Sequence, residues 1–326
     1  GTNVITAVDV TGNFENTPAA AEANPATIYI ERVAAKVRAQ GLNTFAPKMR
    51  DAHGDIVEGE YKVDNADANL TVELVGWQLR NTANRSYAFK KITDDQGALQ
   101  NWFDGWNNAD LHRSYWAVAC GITPQETVYD IYDEDQFTLK GYNANNPTEN
   151  IAYCYESTGY TPTSVTDRTS QATAIIVKGI VKKDGQPIDM MRWAGAYYTS
   201  ERLKQRIAEN YSSHTGTQVT TDDVTFVADG NNKWHAQVNN TDWSTDFNNI
   251  QWWKDGVTSY YLNIEHLGGK YGVVRNHIYD YTFEDVVGFG VPGNDPTNPE
   301  DEEETFLAAR LYVLNWHVVS NKVILE

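Results

Sequence analysis

Residues 173–186 read TAIIVKGIVKKDGQ, a β-branched run that stops at Asp184-Gly185. Asp-Gly supplies the positive φ angles that a tight hairpin turn needs, so this stretch predicts a strand and a sharp reversal. The composition agrees. The 326-residue chain carries 19 Tyr and 10 Trp but only 3 Met, with frequent Asn, Asp and Gly punctuation. Aromatic and β-branched residues suit a pleated, half-buried surface. The expected fold class is mainly β.

Working outward, VELVGWQLRNTANRSYAFKKI (residues 72–92) reads as two strands joined by a polar turn at Asn81 to Asn84. Upstream, ATIYIERVAAKVRA is expected to supply a buried strand through Ile28, Ile30 and Val33. Downstream, YYLNIEHLGG and YGVVRNHIYDYTFEDVVGFG return to strands from Tyr260 onward. One segment has helical spacing: in TSERLKQRIAENY, Leu203, Ile207 and Tyr211 share a face, Thr199 or Ser200 can cap it, and Glu201 suits its positive end. This short helix is expected at a sheet edge. Residues 1–25 read as an extended lead-in, and no repeat of fixed period is present.

Charge and cysteine usage exclude several classes. The formal net charge of −18 argues against a nucleic-acid partner, which requires a basic surface to displace counterions. No segment reaches the roughly 20 apolar residues that span a bilayer, and no leader or lipobox is visible at Gly1; the expectation is either a processed form or a trimmed piece of a longer gene product. Cys120 and Cys154 either form one disulfide in an exported protein or stand as buried thiols. Two thiols do not make a metal site.

Catalytic constellations are missing. The seven histidines show no HExxH spacing and no second close histidine, and there is no GxSxG, Walker A or GxGxxG. Asp130, Asp133 and Asp135 lack the glycine and distal glutamate of a calcium loop, so an ordinary acidic loop is expected. No catalytic residue, cofactor or metal is assigned, and an enzyme is not expected. Trp102, Trp106, Trp252 and Trp253 lie among Asn and Asp, which admits a sugar-stacking surface, although core and rim packing is the commoner use of Trp.

The end of the chain is the most distinctive part. After VPGNDPTNPEDEEE, with three prolines and six acids, comes LYVLNWHVVSNKVILE, residues 311–326. Such an apolar strand at a free end is an aggregation hazard unless it is paired. Tyr312, Leu314, Trp316 and Val318 alternate on one face, then Val319, Val323 and Leu325 continue on the other. The phase slip predicts a bulge or bend near Ser320-Asn321 that divides the tail into two short strands. The tail either completes its own sheet or enters that of another molecule.

Several segments together resemble the Mfa1-like major fimbrial subunits of Bacteroidales type V pili. They are ANPATIYIERVAAKV (23–37), VGWQLRNTANRSYAFKKI (75–92), RSYWA (113–117), AYCYEST (152–158), TAIIVKGIV (173–181), YGVVRNHIYDYTFEDVVGFGVP (271–292) and LNWHVVSN (314–321). The resemblance implies a transthyretin-like Greek-key β-sandwich with long loops and one or two short helices. It also implies an exported lipoprotein precursor that is trimmed, reaches the outer-membrane surface and polymerises by strand exchange. The expected organisation is a lead-in over 1–25, left from a missing leading domain, a β-sandwich domain over 26–292, a Pro/acidic linker over 293–306 and a donor strand over 307–326. Its partners would be other copies of itself and accessory or tip subunits, and the filament would support adhesion. The rival expectation is a glycan-binding surface lipoprotein that uses exposed tryptophans.

Overall fold

Asp184 and Gly185 take φ angles of 50° and 79°, the left-handed pair that a tight hairpin demands. The strand before them, Ala174–Lys183, pairs back with Gln186–Pro187 and sits at the centre of its sheet. This computed structural model describes residues 11–25, 32–50, 55–83, 85–87, 151–157, 173–230, 232–243, 245–266, 271–293, 306–315 and 320–324.

Besides Gln186–Pro187, which pairs only with Ala174–Lys183, ten strands among these residues form two facing sheets. In chain order they are β1 (Ala34–Gln40), β2 (Thr44–Phe45), β3 (Leu70–Arg80), β4 (Ile151–Tyr155) and β5 (Ala174–Lys183). They continue with β6 (Val257–Asn263), β7 (His277–Val287), β8 (Val291–Pro292), β9 (Phe306–Asn315) and β10 (Ser320–Ile324). One sheet runs β10-β9-β7-β1-β4 and the other β8-β6-β5-β3-β2. Only the β1–β7 pairing is parallel within these two sheets.

The sandwich core follows from the two-residue period of the strands. β1 alternates half-buried and buried positions along its length, and its inward residues Ala35, Val37 and Ala39 are fully buried. Val37 and Ala39 stand opposite Tyr279 and Tyr281 of β7, so small residues make room for large neighbours on the same face. Across the layer lie Val72 and Leu74 of β3, Ile175, Val177 and Val181 of β5, and Tyr260 of β6. The expectation for this first strand is corrected. Val33 is 40% exposed and precedes the strand, because Ala35, Val37 and Ala39 carry the inward phase. Ile28 and Ile30 lie outside the described residues.

Gly41 turns the chain from β1 in one sheet to β2 in the other. Its φ is +79°, and a Cβ there would stand 2.5 Å from the carbonyl oxygen of Phe283. Gly41→Ala is therefore expected to destabilise the domain by more than about 1 kcal/mol, since both φ and space oppose a side chain. A lower urea midpoint is the measurement that checks it; an unchanged midpoint would contradict this account of the corner.

A second cluster lies beside the sandwich. The helix Ser200–Thr215 buries Leu203 and Ile207 completely, and Thr199 Oγ1 accepts from the Arg202 N–H at 3.3 Å. These features follow the sequence expectation. The helix runs four residues beyond Tyr211, to the left-handed Gly216, the usual way to end a helix without strain. It packs between the strand pair Met190–Trp193/Ala196–Thr199 and the hairpin Val224–Gly230/Lys233–Val238, rather than on an edge. The class is mainly β, a sandwich with few helices.

Candidate assembly site

The apolar tail is paired. β9 forms an antiparallel ladder along β7 from Phe306↔Val287 to Asn315↔His277, interrupted by one shift between Phe283 and Asp285. β10 then pairs with β9, from Ser320↔Leu314 to Ile324↔Arg310, and becomes the outer edge of the sheet. A β-prone strand such as β7 needs a neighbour on both sides, and the tail is one of the two. The expected division into two strands is present, but its place differs. The chain passes from one strand to the other between Asn315 and Ser320, so Ser320 and Asn321 open β10. The two strands pair antiparallel, so the chain reverses between them: of the two expected alternatives it is the bend, not the bulge.

The register also sorts the expected donor residues. Tyr312 and Leu314 stand opposite Asp280 and Ile278, whereas the core residues Tyr281 and Tyr279 stand opposite Leu311 and Val313. Val323 stands opposite Leu311. Trp316, Val318, Val319 and Leu325 lie outside the described residues.

Beneath the start of β7 is a buried polar knot. Arg275 and Glu156 form a two-point ion pair, with Arg275 Nε at 2.9 Å from Glu156 Oε2 and Nη2 on Oε1. Their side chains are 3% and 0% exposed. Arg275 Nη2 also donates to Ser86 Oγ at 3.1 Å and to the Tyr87 carbonyl at 3.0 Å. Ser157 and Val273 exchange backbone hydrogen bonds at 2.8 and 3.0 Å, and the Asn276 N–H donates to Ala34 O at 2.9 Å. This one arginine thus ties together the end of β4, the segment after β3 and the entry to β7.

Beside it stands a histidine pair that sequence reasoning missed. The rings of His266 and His277 lie 5.2 Å apart, nearly perpendicular. The Val274 N–H donates to Tyr279 Oη at 2.8 Å, which leaves the phenol proton for His266 Nδ1, also at 2.8 Å. His277 Nδ1 lies 2.9 Å from the Arg275 carbonyl, to which it donates. Ten residues separate the two histidines along the chain, and tertiary folding brings them together; no spacing rule encodes that.

Burial, then the neighbouring His277, holds His266 well below the usual histidine range. An unfolded histidine titrates near about 6.5. Below that pH the unfolded chain takes up a proton that folded His266 refuses, so stability is lost as pH falls below it. His235 works the other way. Hydrogen bonds to Asp229 and Asp242 raise its pKa, so its contribution is full below about 6.5 and lost as pH rises. The wild type is expected to lose more urea stability between pH 7.5 and 5.5 than His266→Gln does. Equal losses in the two proteins would contradict the assignment.

Two other sets of expected residues have a structural place. Trp253 is 2% exposed and donates through Nε1 to Phe289 O at 3.0 Å. Trp252 is half-buried against Phe226 and Trp234, with Nε1 on Asp189 Oδ1 at 2.5 Å. At 252 and 253 the commoner use, packing, is the one observed, and the rival of exposed tryptophans finds no place there: adjacent residues of one strand point to opposite sides, and each side here is a packed cluster. Trp102 and Trp106 lie outside the described residues, as do Asp130, Asp133 and Asp135. Cys154 is a buried thiol with its pKa pushed up to about 12 by burial; Cys120 lies outside the described residues. Among the described residues no group of three or more His, Cys, Asp or Glu is placed to hold a metal, and no helix is long and apolar enough to cross a membrane.

Residues 251–322 match the family model described as major fimbrial subunit protein type IV, fimbrillin, C-terminal. The matched region runs from the strand Gln251–Trp253 through β6, β7, β8 and β9 into β10. The chain therefore carries a fimbrillin-like C-terminal region. No curated protein matches the chain significantly.

Proposed function

We propose that this chain is a structural subunit of a cell-surface fimbrium, polymerising through its C-terminal tail and supporting adhesion. The observation that carries the reading is the coincidence of the fimbrillin match with the β7–β9 edge: the matched residues are the strands that meet the tail. A tail held by one ladder at the border of a sandwich is suited to β-augmentation, in which main-chain bonds give affinity and side chains give register. Tyr312, Leu314, Trp316, Val318, Val319, Val323 and Leu325 are its donor residues. The Pro-rich acidic stretch 293–306 acts as the linker, residues 26–292 as the body and 1–25 as the lead-in, which is not extended throughout as expected, since Pro18–Ala23 forms a short helix.

The partners are then further copies of this chain together with accessory or tip subunits, and a heterologous contact that does not close yields a filament. The precursor reaches the outer membrane through a lipid anchor. A fimbrial subunit is a structural rather than a catalytic protein.

The test is to shear filaments from producing cells, map their peptides and label them with antibody against residues 173–266. This reading expects peptides of this chain as the major component and label repeated along the shaft. Label confined to the cell body, with no peptides of this chain in the filaments, would overturn it.

A further inference from the structure

The start of β7 is held differently from its middle. The β1 ladder reaches it only at Lys36↔Ile278, and the tail ladder ends at His277↔Asn315. Before His277 the chain is tied by the Ser157–Val273 bridge, the Asn276 N–H on Ala34 O, the Val274 N–H on Tyr279 Oη and the Arg275–Glu156 pair. The histidine pair stands among these ties. His266 Nδ1 accepts the Tyr279 proton, so its own proton is on Nε2 and the ring is neutral; His277 keeps its proton on Nδ1, which donates to the Arg275 carbonyl. The two residues are only 2% and 1% exposed.

The titratable and charged groups around the pair come from each neighbouring segment. They are Tyr279 and Tyr281 of β7, Arg275 before it, Cys154 and Glu156 in and just after β4, and Glu265 beside His266. Both oxygens of Glu156 already accept from Arg275. A proton on either ring therefore adds positive charge to a buried end that already holds a guanidinium. A charged His266 also takes away the acceptor that Tyr279 Oη uses. With ring centroids 5.2 Å apart, a charge on one ring opposes a charge on the other.

We propose that the His266–His277 pair is an acid-sensitive latch: taking up a proton opens the start of β7 and the end of the tail ladder, from Tyr279↔Val313 to His277↔Asn315, while the rest of the sandwich stays closed. The latch acts within one chain and does not require the tail to be donated. Burial, then the neighbouring His277, holds His266 well below the usual histidine range, whereas in the opened segment it titrates near about 6.5. Opening is thus favoured as pH falls below that value and reversed on its return. Between pH 7.5 and 5.5 the opening equilibrium rises by about tenfold or more. It is local because the end of a ladder comes away at a lower free energy than its centre.

Hydrogen exchange of the full chain, read by mass spectrometry and corrected for the intrinsic effect of pH, tests the latch. Peptides within 271–279 and 311–315 are expected to lose about tenfold or more in protection from pH 7.5 to 5.5, and at pH 5.5 to exchange ahead of 174–183. Low urea should not raise their rate, because a local opening exposes little new surface. His266→Gln keeps a hydrogen-bonding group but takes up no proton, so it should lose most of the pH effect; His277→Gln serves where the first variant fails to fold. His235→Gln, in the hairpin beside the helix, should keep the effect in full. Exchange of these peptides in step with 174–183, with the same urea dependence, would show that acid loosens the whole domain and would overturn the latch. An undiminished pH effect in the His266 or His277 variant would overturn it as well.

Discussion

Deletion of residues 306–326 abolishes filament assembly and exposes β7. The effect is expected to be complete because two functions are lost together. The donor disappears, and so does the ladder from Phe306↔Val287 to Asn315↔His277 that covers the edge. The exposed strand, HIYDYTFEDVV, is rich in aromatic and β-branched residues, the composition that pairs with whatever edge it meets. The truncated chain should therefore form amorphous aggregate, not ordered filaments. Adding a peptide of residues 306–326 separates the two functions. It should restore solubility by covering β7, yet give no filaments, because a free peptide is not tied to another body. Electron microscopy and sedimentation read both outcomes. Ordered filaments from the truncated chain alone would contradict the assignment.

The second large effect is at the buried knot. Glu156→Ala leaves the Arg275 guanidinium 3% exposed and without its carboxylate, a change that typically costs about 3–5 kcal/mol. Whole domains have only about 5–15 kcal/mol of stability, so this single substitution is expected to remove a large share. The same reasoning predicts strong non-additivity. With Glu156→Gln and Arg275→Met together, no charge is stranded, and the pair should cost clearly less than the sum of its single changes. Urea midpoints of the two singles and the double measure this. Additive losses would contradict a coupled buried pair.

This knot also governs the tail's root. Arg275 lies two residues before His277, the partner of Asn315 at the end of the β7–β9 ladder. Loosening Arg275 should thus be felt first where β7 begins. The ion pair joins residues 119 positions apart, which makes it a long-range lock on the end of the sandwich at which the tail turns.

What the sequence disclosed and what it hid have separate physical causes. Asp184-Gly185 and the helix cap at Thr199 were legible because each is settled by dihedral preference and hydrogen bonding within a few residues. The tail's β character was legible for the same reason. The other neighbour of β7 was not: β7 pairs with β1 across 242 positions, as in Lys36↔Ile278, and no local pattern names that neighbour. The phase slip after Val318 signalled a break, yet a bulge and a reversal give the same alternation, and only the ladder of Ser320 with Leu314 separates them. The tryptophans left two uses open because Trp252 and Trp253 lie among Asn and Asp in sequence, while in space Phe226, Trp234 and Phe289 surround them. The histidine pair was hidden because His266 and His277 lie on successive segments that only tertiary folding brings side by side.

If the tail is the donor, it must leave its own sheet before the chain can polymerise. The most direct test places Thr282→Cys and Arg310→Cys, at opposed positions of the ladder, in one chain, so that oxidation of the closed monomer locks β9 onto its own β7. The account predicts no filaments from the oxidised monomer and normal filaments once a reductant is added, followed by light scattering and electron microscopy. Oxidised, locked monomers that polymerise like the wild type would contradict it.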